Sequence, residues 1–375
     1  MDSVRYDLIY LLACAVNGIV PDSAKTADMD IKKLYKLSKY HTVRAAVGKA
    51  LERAGIRDND FGQAEFKAVR KNILLDTEWA AISQELEAAG IWHMPLKGSI
   101  LKEMYPESGM REMADYDILF DKERLADVKK IMADRGYEQH GGESTHQVVF
   151  MKPPVLNFEM HTALFGAHHA ENLYRYYREP MRFMKKDEGM EHSYHFNDED
   201  FYIFMTAHEY KHFYGSGTGI RSLLDCYVYM KEKGGSLDSS YLSAQLSELG
   251  IYDYEKQRRE LAMKIFSSAE MPGLTAQEQE MLDNYFDFGT YGTIKHRAEN
   301  KVEQFYASEK KVSKGKYILR RLFPDLKHMK QFYPAYFKCR LFIPFSYIRR
   351  MIHGLVSRRS RITAELKELK KHDKK

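Results

Sequence analysis

The sequence predicts an α+β fold, in which a small mixed β-sheet is embedded in a mostly helical chain with helical N-terminal and C-terminal regions. Three observations predict it. Apolar residues recur at helical spacing over residues 1–90, short β-type runs alternate with helical segments over 91–165, and helical spacing returns from Asp198 onward. Strands that alternate with helices and end in a hairpin indicate a mixed sheet with helices on one side.

Residues 1–85 are predicted as an N-terminal helical region. Apolar residues are spaced for one helix face in Tyr6–Ala15 and again in Phe66–Leu86, without strand-like alternation. Pro21-Asp22 is expected to end the first helix. The apolar stretch Leu8–Val20 follows acidic residues rather than a basic segment, so it is interpreted as this helix and not as a signal peptide.

Residues 86–197 are predicted to form the sheet core. The predicted elements are, in chain order, a strand at Ile91–Leu96, a short helix opened by Lys97-Gly98-Ser99, a strand at Asp115–Phe120, a helix at Lys122–Arg135 capped by Asp121, and a hairpin of the runs His146–Met151 and Val155–Leu164. Three strand regions and two helices are enough for a small mixed sheet.

Residues 198–294 are predicted as a second helical domain. Its predicted helices are Asp200–Phe213, Ile220–Lys233, Tyr241–Leu249, Tyr254–Ser267 and Ala276–Phe286. The remaining residues, 295–375, are called the C-terminal arm below. Prolines recur in the arm every ten residues, which favours several short helices, and Lys367–Lys375 is expected to be a frayed tail.

The net charge of the chain hides a strong asymmetry. The 375 residues carry 58 Lys and Arg against 53 Asp and Glu, a net charge of +5. The C-terminal arm alone carries 23 basic and 7 acidic residues, net +16, which leaves 35 basic and 46 acidic residues, net −11, for the rest. Such an arm is expected to meet an anion, whether nucleic acid, anionic lipid or the acidic body.

Composition excludes several classes of protein. The three cysteines, Cys14, Cys226 and Cys339, are far apart and form no CxxC pair, which argues against a disulfide framework or a zinc knuckle. The mean hydropathy is −0.53, and no apolar run approaches the ~20 residues that span a bilayer. We therefore expect a cytoplasmic protein, with peripheral contact at the inner face of the membrane as a further hypothesis.

The densest chemical signal lies between Lys97 and His161. Asp115 and Asp117 are two apart on a predicted strand, so both carboxylates project from one face. Glu159, on the second strand of the hairpin, supplies a third carboxylate if its strand lies beside theirs. Mg²⁺ prefers such oxygen ligands together with substrate phosphates, and paired carboxylates can hold two ions.

An Asp-x-Asp pair alone is also common at solvated strand ends. What favours a site here is Gly98-Ser99, which opens a helix directly after a strand, where free N–H groups attract phosphate. His161 is interpreted either as a packed strand histidine or as a partner of Glu159.

Several further motifs follow one another along the chain. They are the run Leu96-Lys97-Gly98-Ser99, the pair Tyr105-Pro106, the spacing Arg111-x3-Asp115-x-Asp117, the pair Glu159-x-His161, the pair His208-x3-His212, and the spacing Gly217-x-Gly219-x-Arg221-x3-Asp225. Together they resemble the uncharacterised nucleotidyltransferase family of the polymerase-β-like superfamily. That superfamily is marked by a Gly-Ser or Gly-Gly helix start, an Asp-x-Asp/Glu pair and a later third acid. The resemblance covers about residues 1–300.

This resemblance implies a metal-dependent nucleotidyltransferase. The catalytic and metal-binding residues would be Asp115, Asp117 and Glu159, holding two Mg²⁺ or Mn²⁺ ions. The nucleotide-binding residues would be Lys97, Gly98, Ser99, Arg111, Arg221 and Asp225, with Lys97 and Arg111 serving either as accessory phosphate ligands or as structural residues. Residues 198–294 would close the nucleotide cleft.

The glycine-rich loop Gly215–Gly219 has two interpretations. It is either a flexible connector between helices, or it lets Arg221 approach the phosphates, with Asp225 fixing that guanidinium or the ribose. The resemblance favours the second.

The C-terminal arm combines its charge with the aromatics Phe332, Tyr333, Tyr336, Phe337, Phe342, Phe345 and Tyr347. This mixture suits an anionic membrane surface, a single-stranded nucleic acid, or a helical cap whose aromatics pack on the body. No strong nucleic-acid signal accompanies it.

The sequence thus predicts a bacterial-type cytoplasmic enzyme that moves a nucleoside monophosphate from an NTP, with ATP as the first candidate, to a hydroxyl or amine of an acceptor, releasing pyrophosphate. A sugar or glycan-related acceptor is one candidate. Two alternatives stay open: a catalytically inactive nucleotide-binding or scaffold relative, and a membrane or nucleic-acid adaptor acting through the C-terminal arm.

Overall fold

The computed structural model describes residues 3–140, 146–166, 171–290, 292–307, 313–326, 329–330, 333–357 and 359–372. The chain divides into two compact units, one of Met1–Lys211 with Gly219–Thr290 and one of His212–Thr218 with Tyr291–Lys375. The fold is α+β, as the sequence predicts. The boundaries proposed at residues 85, 197 and 294 stay a prediction about functional regions.

Helices make up most of the described chain. They are α1 Ser3–Asn17, α2 Ser23–Ala27, α3 Ile31–His41, α4 Arg44–Arg53, α5 Asn59–Ala88, α6 Gly98–Leu101, α7 Leu125–Asp134, α8 Glu171–Tyr176, α9 Asp198–Phe213, α10 Ile220–Lys233, α11 Ser239–Glu248, α12 Tyr252–Phe266, α13 Ala276–Phe288, α14 Ile294–Ala307, α15 Lys314–Leu322, α16 Ile343–Ser357 and α17 Arg359–His372. None of the described helices is long and apolar enough to cross a bilayer.

The strands form two sheets. They are β1 His93–Leu96, β2 Tyr116–Phe120, β3 Glu138–His140, β4 Gln147–Lys152, β5 Leu156–His161, β6 Met184–Lys186 and β7 Tyr194–Phe196. The larger sheet has the order β1-β2-β5-β4-β3, with β2 and β5 parallel and the other neighbours antiparallel. β6 and β7 form a separate antiparallel pair.

The five N-terminal helices confirm the predicted helical region. Asp22, Asp30 and Asp58 each accept a hydrogen bond from a backbone N–H of the helix that follows, which satisfies donors left free in the first turn. α1 ends at Asn17, because Gly18 adopts a φ of +67°.

The larger sheet buries one face against α5 and α7. Ile118 of β2 and Phe158 of β5 join Ile82 of α5 and Val128 of α7 in one apolar core. Because side chains alternate along a strand, Asp117 and the other residues between these core positions point to the opposite face. The predicted small mixed sheet is confirmed, and α5 and α7 pack against one of its faces.

Several predicted elements of the sheet core differ from the structure in their bounds, and three short strands were not predicted. The first strand begins at His93 rather than Ile91, because Ile91 N–H closes the end of α5 on the Leu86 carbonyl oxygen. The helix capped by Asp121 opens with a 3₁₀ turn at Lys122–Arg124 before α7. The three-residue strands β3, β6 and β7 were not predicted, since such short segments carry no measurable periodicity.

The five predicted helices of residues 198–294 are all present with ends shifted by at most two residues. The described part of the C-terminal arm forms several short helices, as its prolines predict, and Phe332 lies outside the described residues. The prediction of a frayed tail from Lys367 was wrong in its first part. α17 continues to His372, because Leu369 is fully buried against Val302 and Tyr317.

Candidate active site

Two acidic residues lie side by side on the sheet face opposite to α5 and α7. β2 and β5 pair in parallel with Asp117 directly aligned with Glu159. Glu159 was expected to supply a third carboxylate if these strands are neighbours, and the observed pairing fulfils that condition. His161, two residues further along β5, lies on the same face.

Asp117, Glu159 and His161 offer ligand atoms that all lie within 4.8 Å of one another. His161 Nε2 is 2.7 Å from Asp117 Oδ1 and 3.9 Å from Glu159 Oε2. Gln147 Nε2 donates to Glu159 Oε2 at 2.9 Å. His161 Nδ1 is buried and has no partner among the described residues. His161 is therefore a direct partner of Asp117, which neither interpretation of the sequence named.

Lys97 also contacts Asp117. Its Nζ donates to Asp117 Oδ1 at 2.8 Å. Lys97 is the residue just before α6 and has a φ of +52°, a conformation that side chains other than glycine rarely adopt. Such strain persists at functional positions when the surroundings enforce it. Burial opposes the charge of this ammonium, but Asp117 and the nearby acids raise the pKa of Lys97 overall.

The carboxylates differ in how they titrate. Burial alone would raise the pKa of Asp117, but the Lys97 charge and the His161 hydrogen bond hold it well below its usual range. Burial and the charges of Asp117 and Asp115 raise the pKa of Glu159 to about 7. Burial and the Asp117 charge also raise the pKa of Asp115. The site thus holds more negative charge than its own lysine offsets, which favours a bound cation.

Asp115 lies one residue before β2 and stands outside the compact group of ligand atoms. Its charge nonetheless contributes to raising the pKa of Glu159 and of Lys97. Lys71 of α5 fixes the backbone beside it by donating to the Ala114 carbonyl oxygen at 2.6 Å. Asp115 therefore borders the acidic group, and its role as a metal ligand stays a prediction.

Gly98 and Ser99 open α6, a helix of four residues. Ser99 Oγ donates to the Leu96 carbonyl oxygen at 2.8 Å. A Cβ added at Gly98 would lie 2.5 Å from Arg111 Nη1, so glycine is needed for this close approach. The geometry explains the Gly-Ser pair structurally, and phosphate binding there stays a prediction.

Arg111 and Asp225 contact each other across 114 residues of sequence. Arg111 Nε and Nη2 donate to Asp225 Oδ1 and Oδ2 at 2.8 and 3.0 Å, and Tyr105 OH donates to Oδ1 at 2.7 Å. All three side chains are buried. Asp225 therefore fixes the guanidinium of Arg111, whereas the sequence analysis expected it to hold that of Arg221 or a ribose. Nucleotide contact by Arg111 and Asp225 stays a prediction.

Arg221 reaches the acidic group from α10. Its Nη1 donates to the Glu112 carbonyl oxygen at 3.1 Å, and its buried Nε has no hydrogen-bond partner among the described residues. The Arg221 charge lowers the pKa of Asp115, against the effect of burial. Contact of Arg221 with nucleotide phosphates, as expected from the sequence, stays a prediction.

Lys211 is a cation that the sequence analysis missed. It lies on α9 with its Nζ 5.6 Å from the centre of the Phe165 ring. Burial and the Lys97 charge lower its pKa to about 7, although Asp117 and Glu159 act in the opposite direction. The only signal in the sequence is its place within the pair His208-x3-His212, where a lysine is usually a solvated helix residue.

The donor set fits a divalent cation. Two carboxylates on aligned strands, with a third beside them, are the oxygen ligands that Mg²⁺ and Mn²⁺ accept, and Asp117 keeps its second oxygen free of the Lys97 contact. Repulsion between neighbouring carboxylates contributes to the raised pKa of Glu159 and of Asp115, and a bound cation would relieve that repulsion. The group Asp117, Glu159 and His161 could therefore hold a metal ion.

Comparison with known proteins agrees with this geometry. A family profile described as uncharacterised nucleotidyltransferase matches residues 27–267, which include every site residue named above. Searches of curated proteins and of solved structures gave no match. The match covers more than half of the chain and implies a transferase with an NTP substrate. The chain belongs to the uncharacterised nucleotidyltransferase family.

Proposed function

We propose that this protein transfers a nucleoside monophosphate from an NTP to a hydroxyl, or to an amine, of an acceptor and releases pyrophosphate. The alignment of Asp117 with Glu159 on parallel strands supports the proposal, because two adjacent carboxylates on one sheet face are the type of ligand pair that can hold divalent ions for phosphoryl transfer. Asp115 borders the pair, and Lys97, Lys211 and Arg221 supply positive charge around it.

Asp117 and Glu159, with Asp115, would hold two Mg²⁺ ions, or Mn²⁺ ions. When bound, these ions would neutralise charge on the triphosphate. Lys97 and His161 hold the Asp117 carboxylate from two sides, so its orientation is set before any ligand arrives. The positioning costs no reorganisation during the reaction.

Glu159 would either complete the second metal site or act as the general base. Where it holds no metal ion, its pKa of about 7 lets it accept a proton near neutral pH. In the proposed step, the acceptor oxygen forms a bond to the α-phosphorus, and the bond from that phosphorus to the oxygen that bridges the α- and β-phosphates breaks. Pyrophosphate leaves with that oxygen, and the acceptor proton passes to Glu159 where it acts as the base. Gln147 orients the base through its 2.9 Å hydrogen bond.

In this proposal, the side chains of Lys211 and Arg221 interact with the phosphates of the NTP. Lys211 of α9 interacts electrostatically with Asp117 and Glu159, and Arg221 of α10 with Asp115, so both can offset triphosphate charge that the carboxylates would otherwise repel. Gly98 and Ser99 would seat the phosphates at the start of α6. ATP as the donor, a sugar or glycan-related acceptor and a cytoplasmic location complete the proposal.

The test is turnover by the full chain. Purified protein is incubated with each of the four NTPs, Mg²⁺ and cell extract, and pyrophosphate release and nucleotidyl-modified products are measured, the latter by mass spectrometry. We expect release by the wild type and its loss in Asp117→Asn, with the fold preserved. Asp121→Asn, which changes only a helix cap, is the matched control. Equal turnover in Asp117→Asn and the wild type would refute the site.

A catalytically inactive nucleotide-binding relative is the second candidate. One observation favours it: Lys97 Nζ and His161 Nε2 both contact the same oxygen of Asp117, so that oxygen already has two protein partners. This reading predicts NTP binding without pyrophosphate release across a broad acceptor panel.

A further inference from the structure

The second compact unit exposes an apolar stripe along α15. Leu319 and Leu322 are 60% and 40% exposed, and Phe323 and Leu326 continue the stripe beyond the helix end at 51% and 58%. Spacings of three and four residues place Leu319, Leu322 and Phe323 on one side of the helix. The stripe therefore faces outward as a unit.

The opposite side of α15 is already packed. Tyr317 is buried with Val302 and Leu369 in the core of this unit. Arg321 forms a bidentate ion pair with Glu365 of α17 at 2.8 and 2.9 Å, and Tyr317 OH donates to the same carboxylate. The exposed stripe is therefore not the side of α15 that packs in the core of this unit.

A second apolar stripe runs along α16 and the turn before it. Leu341, Phe345, Ile348 and Ile352 recur every three or four residues and are 47–79% exposed, whereas Ser346 on the other side is fully buried. Phe342 extends the same exposed surface. α16 therefore repeats the arrangement seen on α15.

The two stripes are neighbours. The rings of Phe323 and Tyr347 lie 5.8 Å apart, and Tyr347 OH donates to the Pro324 carbonyl oxygen at 2.9 Å. We define the apolar surface by nine residues: Leu319, Leu322, Phe323, Leu326, Leu341, Phe342, Phe345, Ile348 and Ile352. Between 319 and 366 the described chain exposes ten large Leu, Ile and Phe side chains, against two, Phe66 and Ile73, in its first 290 residues. Such a concentration marks an interaction site.

Basic residues border the apolar surface. Lys316 and Arg320 are exposed beside the first stripe, and Lys338, Arg340 and Arg349 are exposed beside the second. They belong to the C-terminal arm with its net charge of +16. An occupant must therefore accept apolar side chains and offer negative charge around them.

We propose that the apolar surface is the site at which this protein binds an anionic membrane. In this arrangement α15 and α16 lie in the plane of the interface, with their stripes among the acyl chains and their Lys and Arg side chains among the headgroups. Helices with an apolar face and a basic border bind in this way without crossing the bilayer.

The residue types favour lipid over two other occupants. Six of the nine side chains are Leu or Ile, which offer no ring for stacking on nucleobases, so a single-stranded nucleic acid would leave most of the surface unused. A second copy of the chain would bring two arms of net +16 together, and their repulsion would oppose association.

The test is cosedimentation of the full chain with lipid vesicles. Vesicles of phosphatidylcholine alone are compared with vesicles that contain about 30% phosphatidylglycerol, at about 0.1 M and about 0.5 M NaCl. We expect binding to the anionic vesicles at the lower salt, and at least about tenfold weaker partitioning without the anionic lipid or at high salt. No binding to anionic vesicles at low salt would overturn the proposal.

A matched pair of variants distinguishes binding through this surface from non-specific binding by exposed apolar side chains. Leu341→Glu/Phe345→Glu places two acids on the apolar surface, and we expect it to lower partitioning at least about tenfold while circular dichroism stays unchanged. Phe66→Glu/Ile73→Glu alters two exposed apolar side chains of the first unit and should bind as the wild type does. Equal losses in both variants would contradict the proposal.

Two further results would overturn it. One is binding of a single-stranded oligonucleotide that competes with the vesicles and depends on Leu341 and Phe345. The other is a dimer in sedimentation equilibrium that dissociates in Leu341→Glu/Phe345→Glu. Neither readout depends on nucleotide turnover, so this proposal and the proposed transferase reaction fail or succeed independently.

Discussion

Asp117 lies directly opposite Glu159 on parallel neighbouring strands, 42 positions apart in the sequence. The alignment brings together two carboxylates with opposite pKa shifts. Asp117 stays ionised because Lys97 and His161 neutralise and bind it, whereas Glu159 lacks a cation of its own. One carboxylate is thus a fixed anion and the other can exchange a proton near neutral pH.

Glu159→Gln should weaken divalent-metal binding and stabilise the metal-free protein. The amide keeps the shape of the side chain but removes a ligand charge, so Mn²⁺ affinity should fall at least about tenfold. Because the folded-state pKa of Glu159 is raised to about 7, the metal-free wild type carries a penalty for ionisation at pH 8, which the variant lacks. Calorimetric titration with Mn²⁺ and thermal unfolding measure the two effects. Glu123→Gln, on an exposed turn, should change neither, and unchanged Mn²⁺ affinity in Glu159→Gln would exclude the metal site.

Lys211→Met should weaken NTP binding about tenfold or more, since it removes a half-buried cation that faces the acidic group. Lys211→Arg keeps the charge and should recover part of the affinity. Fluorescent NTP binding at constant Mg²⁺ is the measurement. Lys130→Met, which removes an exposed lysine of α7, is the control, and a loss of affinity as large as that in Lys211→Met would show that the effect is not local.

Asp225→Asn should destabilise the fold by roughly 3–5 kcal/mol, because it leaves the buried Arg111 guanidinium without its counter-charge. The double variant Arg111→Met/Asp225→Asn should regain part of that loss. Urea unfolding gives the free energies. Asp134→Asn breaks an exposed pair with Lys130 and should cost less than about 1 kcal/mol. Similar costs in Asp225→Asn and Asp134→Asn would refute the structural role of the Arg111–Asp225 pair.

His41→Asn should flatten the acid side of the stability profile. Burial, with a smaller effect of the Arg5 charge, lowers the pKa of His41 to about 3. The unfolded chain therefore binds this proton first, and stability is lost as pH falls from about 6.5 toward 3, by an amount on the order of 4 kcal/mol. The Asn oxygen can still accept from Ile220 N–H, as His41 Nδ1 does.

Urea unfolding at a series of pH values between 3 and 7 measures the slope in wild type and variant. His140→Asn alters an exposed histidine and should keep the wild-type profile. If His41→Asn also keeps it, proton uptake by His41 does not limit stability in acid.

Local patterns predicted most of the fold. Alternation along the second strand predicted which face carries Asp117, and the structure puts the core residues Tyr116 and Ile118 on the other face. Helical spacing placed all five helices of residues 198–294. The parallel pairing of β2 with β5 joins segments separated by a helix and two strands, so no local pattern contains it.

The parts of the site that sequence reasoning missed are all long-range contacts. Arg111 and Asp225 each fit a nucleotide-binding motif, and only the folded chain shows that they bind each other. Lys211 looks like an ordinary helix lysine until α9 is placed beside the sheet. His161 was expected near Glu159, but its shorter contact is with Asp117.

The register of β5 links the hydrophobic core to the chemistry of the protein. A slip of one residue would turn Glu159 and His161 toward α5 and α7 and expel Phe158 and Met160 from the core. Burial of Phe158 therefore turns Glu159 to the face that Asp117 occupies, and the observed register then aligns the two carboxylates. If these residues bind a cation as proposed, the fraction of chains that bind Mn²⁺ would report the fraction that has folded in this register.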